Sequence, residues 1–223
     1  VPISIQFQPA ELKVLESFSK LRQRILRWGI DAGGERHTGA ALAMEVLGRR
    51  LLSSWIAFDT SFQTFMAGLR NGSEVKTLPT VLPSAAGTES GELTWERLTR
   101  RLGGWLARYY PHHISAFDEL GHHLSQLSPQ MVDGIDSRRV AWIDWLRQEI
   151  CQASGAERVV VFTEYVATLE ALLAAVNHHL PALAGRVEAV HGQTGTARRR
   201  ATLASFSSAD AELSVLLCTD VLA

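Results

Sequence analysis

Apolar residues recur at every third or fourth position through the first part of the chain, which is the spacing of one face of an α-helix. The first such stretch spans residues 11–28 and the second spans residues 40–52, with a glycine-rich turn predicted between them over residues 31–39. A third helix is predicted to follow Ser53 or Ser54, because either hydroxyl can cap a helix N-terminus. The apolar positions of this third helix, whose aromatic rings we expect in a core, are Trp55, Phe58, Phe62, Phe65 and Leu69.

The helical spacing is interrupted over residues 71–92 and then returns. The interrupting segment contains an Asn-Gly pair, two prolines and many serines and threonines, which is the composition of a loop or flexible linker. Two further helices are predicted over residues 93–109 and 114–127. We therefore expect residues 1–135 to form an all-helical region that contains a linker.

Beyond Asp136 the pattern changes to short apolar runs that alternate with helical stretches. The runs span residues 158–162, 186–190 and 212–218, and Asp136 with Ser137 is predicted to begin the helix that leads into the first of them. Strands and helices that alternate at this spacing predict a parallel sheet. The first run ends in four consecutive apolar residues, which is typical of a strand that is buried on both faces.

The overall charge of the chain gives no sign of a particular partner. There are 22 Lys and Arg against 23 Asp and Glu, for a net charge of -1, so any surface for nucleic acid must be local. Cys151 and Cys218 stand alone in apolar or helical surroundings, which favours reduced thiols and a cytoplasmic location. No apolar run approaches the roughly 18 residues of a membrane span. The histidine pairs lack the spacing of zinc ligands, and we predict no metal site.

Small and hydroxyl-bearing residues follow each of the three predicted strands. Thr163 follows the first strand, Gly192 and Thr194 follow the second, and Thr219 follows the third. Ligands of parallel sheets bind beyond the carboxyl ends of the strands, and hydroxyls beside helix N-termini suit a phosphate. The plainer alternative is that these are ordinary loops in which Thr163 and Thr219 cap helices.

The first of these segments closely resembles a helicase motif. Residues Arg158-Val-Val-Val-Phe-Thr-Glu-Tyr-Val-Ala-Thr-Leu-Glu-Ala-Leu172 are similar to motif IV in the C-terminal lobe of superfamily 2 helicases, in the form found in the Swi/Snf branch. The resemblance therefore implies that the first predicted strand belongs to a helicase lobe and is followed by one of its loops.

Three more segments match the same family in the same order. Val190-His191-Gly192, followed by a helix with Arg198 to Arg200 and by Phe206, is similar to the family's next strand, loop and arginine-bearing helix. The run 216–220, Leu-Leu-Cys-Thr-Asp, resembles motif V. The start of the helix at 136–138, Asp-Ser-Arg, resembles the entry into this lobe. The resemblance covers residues 136–223 and implies an α/β fold, the first part of a RecA-like lobe with a parallel sheet and flanking helices.

A further resemblance lies upstream in the helical region. Residues 49–54, Arg-Arg-Leu-Leu-Ser-Ser, and the aromatic-rich helix after them resemble a helix between the two lobes of bacterial Swi/Snf-type ATPases. These include the RNA-polymerase-associated recycling ATPase and the anti-phage DISARM helicase. The all-helical region is thus expected to be an inter-lobe region.

The resemblance implies an ATP-dependent helicase or translocase that moves along double-stranded DNA. Thr163 and Tyr165 would lie near the DNA backbone or support that surface, and His191 with Gly192 would make a second backbone contact. Arg198 would lie near DNA or brace the lobe. The resemblance also gives Thr219 and Asp220 a role in the ATP cleft, where they would couple the DNA site to the nucleotide site.

Several elements of a complete ATPase do not occur in this sequence. It contains no G-x-x-x-x-G-K-[ST] loop for phosphates, no D-E-x-H element and no Q-x-x-G-R-x-x-R motif. ATP and Mg²⁺ would be bound mainly by a first lobe, so we expect no catalytic residue here and no ATP hydrolysis by this segment of a longer protein alone.

Two alternatives remain open from the sequence. One is a non-catalytic interaction module, with a degenerate helicase lobe and a helical region that docks a protein partner. The other is an unrelated α/β enzyme with a phosphate-bearing ligand. Convergence of the three strand-end loops on one edge of the sheet is the arrangement that a common site requires.

Overall fold

The computed structural model describes residues 3–71, 77–78, 89–127, 135–152, 158–208 and 213–219. The chain forms two compact units. The helical unit holds α1 to α3, α4 from Leu93 onward, and α5, and the α/β unit consists of residues 135–223 with residues 1–6 and 84–92. The five helices of the first unit are α1 (Pro9–Ala32), α2 (Gly34–Ser53), α3 (Trp55–Asn71), α4 (Glu89–Tyr109) and α5 (Ile114–Ser125).

The predicted helices of the first unit are present, but two connections differ from the expectation. The glycine-rich turn predicted over residues 31–39 is reduced to Gly33. Its φ of 69° lets it turn the chain, and its N–H donates to the carbonyls of Gly29 and Ile30, so α2 begins at the next residue. Most of the linker predicted over residues 71–92 lies outside the described residues, and α4 starts at Glu89 within it.

Ser54 is the cap of α3, one of the two candidates that the sequence offered. Its Oγ accepts a hydrogen bond of 3.1 Å from the N–H of Ala57, while Ser53 is the last residue of α2. The core beneath α3 is aromatic, as predicted. The largest side chains that are fully buried there include Trp55, Trp105, Phe58, Phe62, Phe65 and Phe117.

Helices α3 and α4 approach so closely that glycine is required at the crossing. A Cβ on Gly68 would lie 2.0 Å from the carbonyl oxygen of Arg100, and a Cβ on Gly103 would lie 2.1 Å from the carbonyl oxygen of Phe65. Real Cβ atoms do not come so near to backbone atoms, and the interior of a protein is too closely packed to yield easily. The helical unit is therefore held together by backbone contact as well as by its aromatic core.

The α/β unit contains the parallel sheet that the sequence predicted. Its three strands pair in the order β1-β3-β2, all parallel, with Val159 opposite Val215 and Val187 opposite the same residue. The elements are α6 (Ser137–Leu146), β1 (Val159–Phe162), α7 (Val166–His179), β2 (Val187–Val190), α8 (Thr196–Ser207) and β3 (Val215–Cys218).

The helix that leads into the sheet begins where the sequence predicted. The Oδ1 of Asp136 accepts hydrogen bonds of 3.0 Å from the N–H groups of Arg138 and Arg139, and its Oδ2 accepts a third, of 2.8 Å, from Arg139 Nε. These bonds satisfy N–H groups that the first turn of a helix leaves unpaired. The rings of Trp142 and Trp145 stack at 5.6 Å and pack against the core under one face of the sheet, as expected.

Strand β1 departs from the prediction that both of its faces are buried. Val159 and Val161 pack against the core, but Val160 is 40% exposed and Phe162 is 64% exposed. β1 is an edge strand of the three, and among the described elements α8 packs on β2, the opposite edge strand. The apolar run alone could not reveal this, because it is the same in an edge strand and in a central one.

Candidate functional site

The three strand-end loops lie side by side at one edge of the sheet. The N–H of Thr163, just after β1, donates to the carbonyl of Cys218 at 2.9 Å, and the N–H of Thr219, just after β3, donates to the carbonyl of Val190 at 3.2 Å. The ladder thus continues one residue beyond the strands on each side of β3. This arrangement has the convergence that a common site requires, with the loop after β3 in the middle.

The loop after β1 is ordered by its own hydroxyl. Thr163 is half-buried and its Oγ1 accepts a bond of 3.4 Å from the N–H of Tyr165. Tyr165 takes the N-cap position of α7 without a side-chain cap bond, so the alternative that Thr163 caps this helix is not observed. The Tyr165 side chain is only 3% exposed and lies beneath the loop surface.

The loop after β2 is a tight turn closed by Thr194. The N–H of His191 donates to Thr194 Oγ1 at 3.0 Å, and the N–H of Thr194 donates back to the carbonyl of His191 at 2.9 Å. The Oγ1 of Thr194 accepts in this turn, so its own proton is left to donate. Gly192 is half-buried, and its lack of a side chain leaves the turn's backbone approachable at that point.

Of the arginines on α8, Arg199 reaches the loop and Arg198 does not. Arg198 is an exposed residue, and its Nη2 lies 3.3 Å from Glu188 Oε2 on β2, which braces the helix against the sheet. The Nη2 of Arg199 donates to the carbonyl of His191 at 3.4 Å. Its Nε is buried and finds no hydrogen-bond partner in the described part of the chain.

The sequence-based prediction selected Arg198, near DNA or as a brace of the lobe, and did not single out Arg199, which reaches the loop. The sequence offers one signal for Arg199, which is its position four residues after Gly195. Its N–H therefore donates to the Gly195 carbonyl, at 2.9 Å, in the first turn of α8 and next to the loop. The rotation that separates neighbouring helical residues, about 100°, directs the two guanidinium groups to different places.

Thr219 is the most deeply buried of the predicted site residues. It is 0% exposed, and its Oγ1 makes no hydrogen bond to any residue that the structure describes. A buried hydroxyl without a partner carries a free-energy cost of about 1–3 kcal/mol. Asp220, which was predicted to act beside it, lies outside the described residues.

Two helices begin at this edge, and neither is capped by the side chain of the residue before it. These residues are Tyr165 before α7 and Gly195 before α8, whereas Asp136 closes the first turn of α6. The backbone N–H groups at a helix N-terminus and the positive end of the helix dipole favour an anion. The edge therefore combines backbone donors, hydroxyls and two helix N-termini, which together suit phosphate groups.

The side chains that could ligate a metal ion are dispersed. No group of three His, Cys, Asp or Glu residues that could hold an ion is found among the residues the structure describes. Two of the histidines that invited a metal interpretation instead have local partners: His122 with Gln126, and His123 with Glu119.

The comparisons with known proteins agree with the geometry of this unit. Residues 142–223 match the family model of the helicase conserved C-terminal domain. This match covers the sheet and all three loops, and it supports the prediction that the α/β unit is a helicase C-terminal lobe. The comparisons with curated proteins and with solved structures gave no significant match. Within the described residues, no helix is both long enough and apolar enough to cross a membrane.

Proposed function

We propose that the chain is part of an ATP-dependent DNA translocase of the Swi/Snf type and that its α/β unit is the first part of the second RecA-like lobe. The match of residues 142–223 to the helicase C-terminal domain supports the lobe, and proteins with this domain generally hydrolyse ATP. The Swi/Snf assignment rests on the residues that make up the motifs around Thr163, His191 and Thr219. The observation that carries the proposal is the convergence of the three loops at one edge.

In this proposal the outer two loops hold the DNA backbone. Thr163 offers a half-buried hydroxyl, and the His191–Gly192 turn offers backbone groups beside the N-terminus of α8. Contacts to phosphate position a protein on a duplex without reading its sequence, as a translocase requires. Tyr165 supports its loop from below, because its side chain is buried.

Arg199 is added to the proposed DNA-contact set and Arg198 becomes a bracing residue. The guanidinium of Arg199 is tied to the His191 carbonyl, so it orients the loop that would meet the backbone. Arg198 is paired with Glu188 on the surface, and an exposed pair of this kind contributes only about 0–1 kcal/mol to stability.

Thr219 and Asp220 are proposed to link the DNA loops to the ATP cleft. Thr219 stands between the two outer loops in the strand order, and its buried hydroxyl has an unused donor and acceptor in the described structure. Buried polar groups without a hydrogen-bond partner are rare in proteins, so an unpaired hydroxyl such as that of Thr219 is expected where it has a function. ATP and Mg²⁺ would be bound mainly by a first lobe, with this edge closing against the nucleotide.

The decisive variant is Thr219→Val in the protein that holds both lobes, assayed for ATP hydrolysis with and without duplex DNA. Valine keeps the shape of threonine and removes the hydroxyl, so stability should be unchanged or raised. We expect DNA stimulation of the rate to fall by at least about 10-fold, an effect of roughly 1.4 kcal/mol. Thr202→Val, at a buried hydroxyl of α8 in the same unit, is the matched control and should keep its stimulation.

A second pair of variants tests the loop after β2. Arg199→Gln should weaken duplex DNA binding and lower its dependence on salt, while Arg198→Gln should change both only slightly. Equal behaviour of the two arginine variants, together with normal stimulation in Thr219→Val, would refute the proposed roles of these residues.

A further inference from the structure

A second charged surface lies in the helical unit and includes none of the residues proposed for the strand-end loops. Where the end of α1 meets the start of α2 and the end of α4, arginines surround a group of aromatic rings. We call this surface the basic–aromatic patch, and its members are Arg24, Trp28, Arg36, Arg108, Tyr109 and Tyr110.

The rings of the patch form a continuous support together with the buried ring of Trp105 beneath them. Trp28 lies 4.7 Å from Tyr110 and 6.5 Å from Trp105, and Trp105 lies 5.0 Å from Tyr109, measured between ring centroids. Trp105 and Tyr110 are buried, whereas Trp28 and Tyr109 are partly exposed. Three helices therefore contribute to a surface whose aromatic floor is fixed by the core.

Two guanidinium groups are held over the ring of Tyr109. The Cζ of Arg36 lies 5.3 Å from the ring centroid and the Cζ of Arg108 lies 5.8 Å from it, which is within the range of cation–π attraction. The guanidinium of Arg36 stacks on the ring through its face, so its in-plane N–H donors can meet an anion, and their fork matches a phosphate.

Arg24 joins the patch from α1. It precedes Trp28 by four residues on α1, so the two side chains share a face of that helix. Burial raises the pKa of Tyr110, and the charge of Arg24 lowers it by less. Arg24 and Arg36 are exposed, and neither donates a hydrogen bond to a residue that the structure describes. Their donors are therefore available to a ligand from solution.

The charge around the patch is positive after its carboxylates are included. Asp31 and Glu35 lie on the neighbouring turns, and Glu35 accepts a hydrogen bond of 3.3 Å from the N–H of Leu78. The helical unit, residues 7–83 and 93–134, carries 14 Lys and Arg against 11 Asp and Glu, whereas the rest of the chain carries 8 against 12. The excess of positive charge thus lies in the unit that holds the patch, and not in the unit that resembles a helicase lobe.

We propose that the basic–aromatic patch binds the sugar-phosphate backbone of a nucleic acid as a contact separate from the strand-end loops. Guanidinium groups fixed on rings supply charge and donors to phosphates, and such contacts carry most of the affinity of sequence-independent binding. The inference shares with the proposed function only the class of ligand. It requires neither ATP nor the loops of the α/β unit.

The test is binding of the 223-residue chain to a labelled duplex DNA of about 30 base pairs and mixed sequence, followed by fluorescence anisotropy over a range of salt concentrations. The double variant Arg36→Gln/Arg108→Gln should bind on the order of 10-fold more weakly at low salt, and the slope of log K against log salt should fall by about 0.9 for each phosphate that the variant no longer neutralises. Arg36→Lys should show part of this weakening, because it keeps the charge without the planar stack.

Arg22→Gln is the matched control. It removes the same group from the same helix two residues from Arg24, on nearly the opposite side, since each residue turns the helix by about 100°. Circular dichroism establishes that each variant is folded. The same titrations are made with an RNA duplex of the same sequence. The proposal is overturned if the double variant binds both duplexes with unchanged affinity and salt slope, or if the Arg22→Gln control loses affinity equally; a loss for RNA alone identifies RNA as the ligand.

This experiment can refute the proposed role of the patch without refuting the proposed role of the strand-end loops, and the reverse. Arg199→Gln tests the loop after β2 in the same assay, and it leaves the patch intact. Loss of binding in the Arg36/Arg108 variant with no loss in Arg199→Gln would retain the patch and reject the loop, and the reverse pattern would reject the patch.

Discussion

The helical unit and the α/β unit are stabilised in different ways. The helical unit buries large aromatic side chains and brings α3 and α4 into backbone contact at Gly68 and Gly103. The α/β unit has strands of only four residues each, one face of β1 is open, and its notable groups stand at the strand ends. The helical unit thus depends on the close packing of its side chains and helices. In the α/β unit, the hydrogen bonds between three short strands position the candidate site.

The largest effect is expected from Gly103→Ala in the helical unit. A Cβ there would lie 2.1 Å from the carbonyl of Phe65, which is backbone and cannot rotate away. Overpacking of a core costs about 1–3 kcal/mol and occasionally more, and we expect the upper end of that range. Urea denaturation followed by circular dichroism measures the change in the free energy of unfolding.

Gly48→Ala is the control for that substitution. Its Cβ would lie 3.8 Å from the ring of Phe18, which is ordinary contact. Alanine is favoured over glycine inside a helix by about 1 kcal/mol, so this variant should be as stable as the parent chain or more stable. Similar losses of stability from both substitutions would show that the close approach at Gly103 is not what holds α3 to α4.

The next largest effect is expected at the start of the α/β unit. Asp136→Ala removes the acceptor of two backbone N–H groups and of the Arg139 guanidinium, at a site that is 2% exposed. We expect a loss of about 2 kcal/mol in the free energy of unfolding. Asp144→Ala breaks only the exposed pair with Arg147 and should cost less than about 1 kcal/mol. Losses of the same size would mean that the cap contributes no more than a surface pair.

The two units also differ in how far the sequence predicted them. The spacing of apolar residues located helices α1 to α5, because a helical face buried in a core must repeat every three or four residues. It did not show that the first turn is confined to Gly33 and Gly34, which both have positive φ angles, since a cluster of glycines looks like a longer loop. Backbone conformation at one residue is not encoded in the hydrophobic pattern.

In the α/β unit the sequence predicted the strands and the parallel sheet, and the convergence of the loops follows from the parallel order. It did not predict that Val160 and Phe162 are exposed, because burial of an edge strand depends on which elements cover it. Nor did it separate Arg199 from Arg198, because the rotation of α8 about its axis decides which guanidinium meets the loop.

A smaller, pH-dependent effect is expected from Tyr110 in the helical unit. Burial raises the pKa of this phenol above its usual 10.0, and the Arg24 charge lowers it by less. The neutral phenol is favoured in the folded state, so its contribution to stability is complete below about pH 10 and is lost as pH rises through the folded pKa. Tyr110→Phe should therefore flatten the decline of the unfolding free energy above about pH 10.

Arg24→Gln tests the contribution of the Arg24 charge to the pKa of Tyr110. Removing the positive charge leaves burial unopposed, so the pKa of Tyr110 should rise further, and ultraviolet absorbance of tyrosinate during alkaline titration measures the shift. A pKa that does not change in Arg24→Gln would show that this guanidinium does not stand beside the phenol. It would also remove one member of the basic–aromatic patch.

The smallest effect is expected from Val160→Ala, and it tests the open face of β1 directly. Val160 is 40% exposed, while its neighbour Val161 packs against the core on the other face. Removal of the exposed methyl groups should change the free energy of unfolding by less than about 0.5 kcal/mol, whereas Val161→Ala should cost about 1–2 kcal/mol through reduced burial and packing. The two variants make the same chemical change at adjacent residues on opposite faces of β1. The difference between their free energies of unfolding therefore reports how the two faces differ in burial. Equal costs would mean that the second face of β1 is covered in solution, and that the α/β unit has a two-sided sheet at its edge after all.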